Sequence, residues 1–490
     1  MSTSPTPLQP AHSSLRGLPL AALVVGIALG TMALIEVSGE FLLDPNTSTV
    51  FIAALVFFGM LAFAATYGRS RSQQSKWLIF IVWWSLLVSE EVFSYRSDIT
   101  SVSGAEFASQ AYAQGVLWCV AMLGLLLILI KYPQYLRGMF HGDYKWVSWI
   151  ALFSVISSAY SPNPAFSLAW AFKLGLVAVV LHVCSQEIAG LEDLKSFLKI
   201  TVWAFVILTL VPTLRSIFIP DPKGEYGSGE LEQRFREAPT EISGIAGLLV
   251  IMCLMLYSPG KRRWPLVIAA GALIIMIAAG GKTGIVGGFV SVALFYGLQR
   301  RFKAMLGFVG VIAVLVALAL RFTSLAAYAT GYMQLQQGSS FTGRTELWSF
   351  VMPFIMQKPI LGHGFIASRF IAVIHPDTPF GSSHMHNGFL EAWYNNGLIG
   401  LGLILAINYV IARNLWRAVH ITQSRELRYL AVGGFAAYVN LVINGMFNAT
   451  FGGRPDCSYL MLIAMVVLSI HLLRLAQDSS SPRSLAASAG

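Results

Sequence analysis

Charge is scarce in this chain. Of its 490 residues only 11% are Asp, Glu, Lys or Arg, while 56% are hydrophobic. Soluble domains carry about 25% charged residues, so a water-facing globular surface is excluded for most of the length. Cysteine is scarcer still, with four in all. Cys119, Cys184 and Cys253 fall in or at the ends of apolar runs and only Cys457 sits near a loop, so no disulfide framework follows. Strict alternation of apolar and polar residues is missing, which argues against a membrane β-barrel. The formal net charge is +10, but the basic residues stand in short clusters and not in a continuous stripe, so nucleic acid is excluded as a partner. A clean small-residue cleavage site is also lacking after Arg16. The apolar run at 18–35 is too long for a leader core, and a retained first helix is expected.

What the chain has instead is a series of long apolar runs. About 20 apolar residues, rising 1.5 Å each, cross the ~30 Å hydrocarbon core of a bilayer. Predicted spans are 18–35, 50–67, 77–92, 115–130, 146–160, 166–184, 197–217, 242–257, 264–279, 283–298, 304–320, 398–415, 429–447 and 459–473. The third and fifth are short enough to be tilted or partly re-entrant. The expected fold class is therefore an all-α polytopic membrane protein of about 12–14 transmembrane helices, with the lipid bilayer as its first partner.

Lys and Arg assign the sides. Arg69, Arg71 and Lys76; Lys131, Arg137 and Lys145; Lys261, Arg262 and Arg263; Arg300, Arg301 and Lys303; and Arg413, Arg417, Arg425 and Arg428 occupy alternating loops. The other loops are acidic or mixed, with Glu36, Glu40, Asp44, Glu90, Glu91, Asp98 and Glu106. The positive-inside rule puts the basic set and both termini in the cytoplasm. Trp77, Trp146 and Trp264 stand where spans leave that side, as interfacial anchors do. The resulting organisation is 1–320, eleven transmembrane helices with a short outer loop near 220–241; 321–397, an outer-loop subdomain with apolar-periodic pieces of its own; 398–475, helices twelve to fourteen; and 476–490, a cytoplasmic tail. The 321–397 loop is far longer than a connector needs, and long loops on a rigid scaffold are where function sits.

Five outward features can carry chemistry. Arg236 lies in Arg234-Phe235-Arg236-Glu237; read blandly, this is a solvated mixed-charge loop. Lys282, in Gly280-Gly281-Lys282-Thr283, is either a snorkelling topology break or a cation set beside glycine amides for a phosphate; the spacing is not that of a P-loop. Arg344 precedes Thr345, a candidate helix cap. In His384-Met385-His386-Asn387-Gly388-Phe389-Leu390-Glu391, Ser382 or Ser383 is the expected cap, and Asn395, Asn396 and Gly397 end the helix. A His in a first helical turn faces the positive end of the macrodipole, which favours the neutral imidazole of a general base. The bland reading is a structural His. A zinc site from His375, Asp377, His384 and His386 matches no familiar spacing, since i,i+2 side chains diverge on a helix; no metal or cofactor is expected. Lys173 lies inside a span, where a cation is a functional hypothesis by default. Arg454 reads as a loop charge. Fixed cations with one neutral base and no carboxylate cage suit a diphosphate-bearing substrate. The cations hold the diphosphate as charge develops on it, and the base deprotonates an incoming hydroxyl.

Together, Gly343-Arg344-Thr345-Glu346-Leu347-Trp348, Pro359-Ile360-Leu361-Gly362-His363-Gly364-Phe365, His386-Asn387-Gly388-Phe389-Leu390-Glu391 and Asn396-Gly397-Leu398-Ile399-Gly400 resemble the O-antigen ligase and polysaccharide polymerase superfamily. The resemblance implies a GT-C-like membrane glycosyltransferase. Such a protein moves a glycan from a polyprenyl (undecaprenyl) diphosphate carrier to an acceptor hydroxyl at the periplasmic face of the bacterial inner membrane. It further implies an inverting, metal-independent reaction with His386 as the catalytic residue, and Lys282, Arg344 and Arg236 on the donor diphosphate. His384, Lys173 and Glu391 are accessory candidates. Expected partners are the lipid-linked donor and a glycan or lipid acceptor, with a chain-length regulator and a flippase as further candidates. Where ligases carry Arg, this chain has Lys282, and Gly281-Lys282-Thr283 resembles the Ser-Lys-Thr pattern of the exopolysaccharide-polymerase branch. Pro239-Thr240-Glu241 departs from the family's usual pattern at that point. Polymerisation of repeat units is therefore the leading expectation. A ligase that attaches finished glycan to lipid A-core or protein is the alternative. A polysaccharide or lipid-glycan transporter is the reading from a different class, and it calls for paired halves with midplane charges, which are not evident.

Overall fold

The computed structural model describes residues 71–89, parts of 121–130, and 132–218, 239–257, 263–310, 344–379, 384–448 and 451–480. The predicted spans 18–35 and 50–67, most of 115–130 and of 304–320, the loop residues 219–238 with Arg236, and the tail from 481 lie outside the described residues. By its contacts the chain divides into two units, Met1–Ile81 and Val82–Gly490.

Every regular element among the described residues is helical. In chain order the longer ones are α1 Arg71–Val88, α2 Lys145–Ser158, α3 Pro164–Glu187, α4 Leu191–Phe218, α5 Pro239–Leu256, α6 Trp264–Ala279, α7 Lys282–Leu298, α8 Arg344–Gln357, α9 Gly388–Ile421, α10 Arg425–Phe447 and α11 Cys457–Ser480. Five stretches are long and apolar enough to cross a membrane, namely α3, Leu191–Leu214 of α4, α9, α10 and α11. Shorter apolar helices include α6 and α7. The chain is an all-α polytopic membrane protein. Trp149, Ile156, Phe172, Trp203, Ile274 and Tyr409 lie exposed on helix flanks, where lipid takes the place of water.

Local chemistry sets the boundaries. Asn163 caps α3 by accepting from the Phe166 amide, and Pro164 follows at the first turn, where its missing N–H costs nothing. Ser424 caps α10. Between α6 and α7 the chain turns on two residues. Gly280 adopts φ 73° at the end of α6, and Gly281 opens α7.

The helices then lock through small residues and buried polar contacts. A Cβ on Gly284 of α7 would stand 2.5 Å from the Gly244 amide nitrogen of α5, so glycine lets the two backbones touch. Ser243 of α5 donates to the carbonyls of Met276 and Gly281, pinning the α6–α7 turn. Trp83 donates to Thr201, and Ser157 of α2 to Asn396 of α9.

The two ends of the bundle differ. One gathers Tyr135 with Glu187, Arg413 with Asp143, Lys195 with Glu426, and Arg474 on the Ile188 carbonyl. Of these residues Tyr135, Asp143, Arg413 and Glu426 come from the segments that are rich in Lys and Arg. The opposite end gathers the starts of α5, α7, α9 and α11 and the finish of α10.

Candidate functional site

At that opposite end the motif stretches fold onto one another. The turn from 359 to 364 lies against the α9 backbone. Leu398 N–H donates to the Pro359 carbonyl at 2.8 Å, His363 N–H to Tyr394 at 2.8 Å and Gly364 N–H to Asn395 at 2.8 Å. Gly397 makes this possible. It breaks α9 with φ 63° and ψ −165°, a combination open essentially to glycine alone. Gly362, at φ 73°, faces it. The His363 ring stacks on Tyr394 at 4.5 Å and hydrogen-bonds the Phe354 carbonyl. Burial lowers its pKa, with a contrary pull from that carbonyl. Trp393 donates to the Pro359 carbonyl at 3.1 Å and Trp348 to the Met385 carbonyl at 2.9 Å. The four stretches that carried the family resemblance are thus one interlocked piece of structure.

Two expectations about the histidines are corrected. The cap of α9 is Asn387, whose side chain accepts from the Phe389 and Leu390 amides at 3.0 and 3.1 Å. The helix therefore starts later than a cap at Ser382 or Ser383 implies. His386 sits before the cap, not in the first turn, with φ 49°. Because the segment is not helical, the i,i+2 divergence argument fails. The His384 and His386 rings meet, with centroids 4.1 Å apart. Both are half-buried. His375, by contrast, stacks on Phe354 at 4.0 Å. Among the described residues no group of three or more His, Cys, Asp or Glu is arranged to hold a metal ion.

The cations are placed as follows. Arg344 is the first described residue of α8; its guanidinium lies 6.0 Å from the Phe447 ring at the end of α10, half-buried. Burial lowers its pKa. Lys282 is exposed at the first position of α7. Arg344, Lys282 and His386 therefore share one end of the bundle, and Arg236 lies outside the described residues.

Lys173 is fully buried. Its ammonium donates to the Pro455 carbonyl at 2.8 Å and lies 5.0 Å from the Trp170 ring. Snorkelling to an interface does not describe it; the loop before α11 comes to the lysine. Arg454, read from sequence as a loop charge, lies over the same indole at 5.2 Å. Next to it Asp456 accepts from the Tyr459 amide at 2.8 Å. Crowding by protein, and then the Glu241 carboxylate, raise the Asp456 pKa, against the pull of Arg454 and Lys173. Pairs this distant in sequence leave no periodic signal, so sequence reasoning missed them.

Glu391, Ser368 and Asn395 form a buried polar group. Ser368 donates to Glu391 at 2.7 Å, and its amide donates to the Asn395 side chain, also at 2.7 Å. Asn395 in turn donates to Ser368 at 3.1 Å and to the Gly452 carbonyl at 2.9 Å. Asn395 and Asn396, read from sequence as helix stops, are fully buried connectors.

Residues 279–405 match the family model described as O-antigen ligase. An O-antigen ligase of Pseudomonas aeruginosa is 26% identical over 370 residues, which is 71% of this chain and 82% of that protein. A Rickettsia felis protein bearing the name polysaccharide ligase is 25% identical over 213 residues, 40% of this chain and 49% of the relative. A Rickettsia conorii protein of the same name is 24% identical, again over 40% of this chain and 49% of the relative. The chain thus spans about half the length of these Rickettsia relatives. The resemblance to the O-antigen ligase superfamily holds, and its matched segment contains Lys282, Arg344, His386 and Glu391.

Proposed function

We propose that this chain is a membrane glycan ligase, which transfers a glycan from a polyprenyl diphosphate carrier to an acceptor hydroxyl at the non-cytoplasmic face of the inner membrane. The observation that carries it is the assembly of the four motif stretches at one bundle end, where Arg344, Lys282 and His386 also lie. The basic opposite end is then cytoplasmic, as the positive-inside rule requires.

In this reading Arg344 and Lys282 hold the donor diphosphate, with Arg236 as a third cation. Fixed cations neutralise the charge that builds on the leaving group, the part a divalent ion plays in other diphosphate chemistry. His386 takes the proton from the acceptor hydroxyl. Attack opposite the leaving diphosphate inverts the anomeric centre, and no covalent enzyme intermediate is needed.

The departure at Lys282 favours repeat-unit polymerisation, whereas the names of the relatives favour ligation, and the Pseudomonas match extends over most of that protein. Ligation is therefore the preferred activity, with lipid A-core or protein as acceptor class. Gene deletion followed by analysis of the carrier-linked glycan tests it. Full-length chains left on the carrier are expected. Single repeat units on the carrier would instead identify a polymerase, and an unchanged glycan pool would remove both readings.

A further inference from the structure

We infer that Arg454, which lies outside the segment matched by the family model, is a further phosphate-binding residue of the site, and that Lys173 is the positioning residue that sets it there. The identity of the phosphate rests on the ligase reading.

Residues 451–456, just before α11, lie on the first turns of α9, which follow directly on His386 and Asn387. The Phe451 ring meets Phe389 edge-on at 4.9 Å, and a Cβ on Gly388 would stand 2.6 Å from the Phe451 carbonyl oxygen. The Asn395 side chain donates to the Gly452 carbonyl at 2.9 Å. Lys173 of α3 donates to the Pro455 carbonyl at 2.8 Å, and the Asp456 amide donates to the Arg454 carbonyl at 2.7 Å. The backbone is therefore held on both sides of Arg454. Its guanidinium lies 5.2 Å from the Trp170 ring. That indole is buried, with Phe166 edge-on to it at 6.3 Å. The start of α3 is tied to the motif piece by Ser167, whose hydroxyl donates to the Phe365 carbonyl at 2.7 Å.

The Arg454 head group is thus fixed and half-buried, yet among the described residues no oxygen closes a hydrogen bond or ion pair with it. Asp456, two residues on, is occupied as the cap of α11, where it accepts from the Tyr459 amide. Stacking on an aromatic face leaves the N–H edge of a guanidinium open. Partly buried donors left unfilled are costly, and an arginine that served packing alone would do better beside an acceptor. A planar N–H edge bordering the start of α9 suits a phosphate, which takes two parallel hydrogen bonds from it. Loop and indole already hold the side chain, so little rotamer freedom is lost on binding. Lys173 is fully buried and acts on the ligand only through the loop it anchors. Two phosphates reach this end in the ligase reading, the donor diphosphate and a phosphate on a lipid A-core acceptor, and one guanidinium chemistry recognises both.

The test uses the full chain in detergent. Binding of undecaprenyl diphosphate, and of lipid A-core with and without its core phosphates, is measured separately by thermophoresis in mixed micelles. Arg454→Gln should weaken one of the two phosphate ligands about tenfold or more, the scale of a lost charge-assisted hydrogen bond, and Arg454→Lys should retain most of the affinity. The ligand that weakens names the source. If it is the acceptor, removing the core phosphates should erase the difference between variant and wild type. Lys173→Met should weaken the same ligand, and adding it to Arg454→Gln should weaken binding no further, because a residue that acts through another is not additive with it. Should Lys173→Met not fold, Lys173→Gln, which keeps a donor on a shorter arm, takes its place. Arg417→Gln, exposed at the opposite end of α9, should leave both affinities unchanged. Wild-type affinity for both ligands in folded Arg454→Gln overturns the proposal and leaves the ligase reading standing. Additive losses in the double variant overturn the role of Lys173. Wild-type protein that binds neither ligand removes the ligase reading itself, and the phosphate assignment with it.

Discussion

Gly397 is where the fold and the site depend on one atom. In Gly397→Ala the added Cβ would collide with the Ile360 carbonyl and stand 2.6 Å from the Leu361 nitrogen. Two costs arise. A non-glycine residue at φ 63°, ψ −165° carries about 1–3 kcal/mol of backbone strain. Overpacking against a backbone that cannot swing aside adds about 1–3 kcal/mol. The sum, about 2–6 kcal/mol, falls on the knuckle that ties 359–364 to α9. Relief would require breaking the Leu398-to-Pro359 and Gly364-to-Asn395 backbone hydrogen bonds. Gly402→Ala is the control. Gly402 also lies in α9, but its Cβ would meet nothing within 4 Å, and alanine there gains up to about 1 kcal/mol of helix propensity. Thermal unfolding of both variants in one detergent, followed by tryptophan fluorescence, makes the comparison. Gly397→Ala should unfold well below wild type, and Gly402→Ala at or slightly above it. Equal midpoints for the two variants would refute the reasoning, because the kink would then tolerate a side chain.

Arg344→Ala and Lys282→Ala should each reduce transfer about tenfold or more, the loss of a charge-assisted contact of roughly 1.5–3 kcal/mol, and Lys282→Arg should retain much of it. Wild-type rates in both alanine variants would make these residues topology markers. His386→Ala should lose about 10²–10⁴-fold in rate while still binding the lipid-linked donor. With the two rings 4.1 Å apart, His384→Ala should also slow transfer, though less; the reverse order would move the base to His384. Reporters fused after Pro220 and Gly338 should act outside and one after Arg301 inside, and an inside signal at Gly338 would end the ligase reading. Transfer by purified protein should survive a chelator, and loss of activity restored by one particular metal would contradict the cation assignment.

The sequence by itself determined the class of the molecule and the alphabet of its site. Long apolar runs with few charges admit little but a helical membrane bundle, because lipid leaves every backbone polar group to be satisfied within its own helix. Short-range rules placed α6 from Trp264 to Ala279 and the Gly280-Gly281 turn after it. Motif spacing in the 343–400 stretch also pointed to the residues that the structure brings to one end. Tertiary structure decided what depends on contacts distant along the chain. Sequence rules put the cap of α9 at a serine, but the Asn387 side chain reaches two amides at once, and the helix starts there. The divergence expected of His384 and His386 assumed a helix that is not present, so only the folded turn could bring their rings together. Lys173 looked like an isolated intramembrane charge until the Pro455 carbonyl, 282 residues away in sequence, came to meet it. Glu391 stood in a motif as one acidic letter. Its neighbours Ser368 and Gly453 lie on other segments, and that this letter is a buried, hydrogen-bonded carboxyl depends on them, which a one-dimensional pattern does not contain.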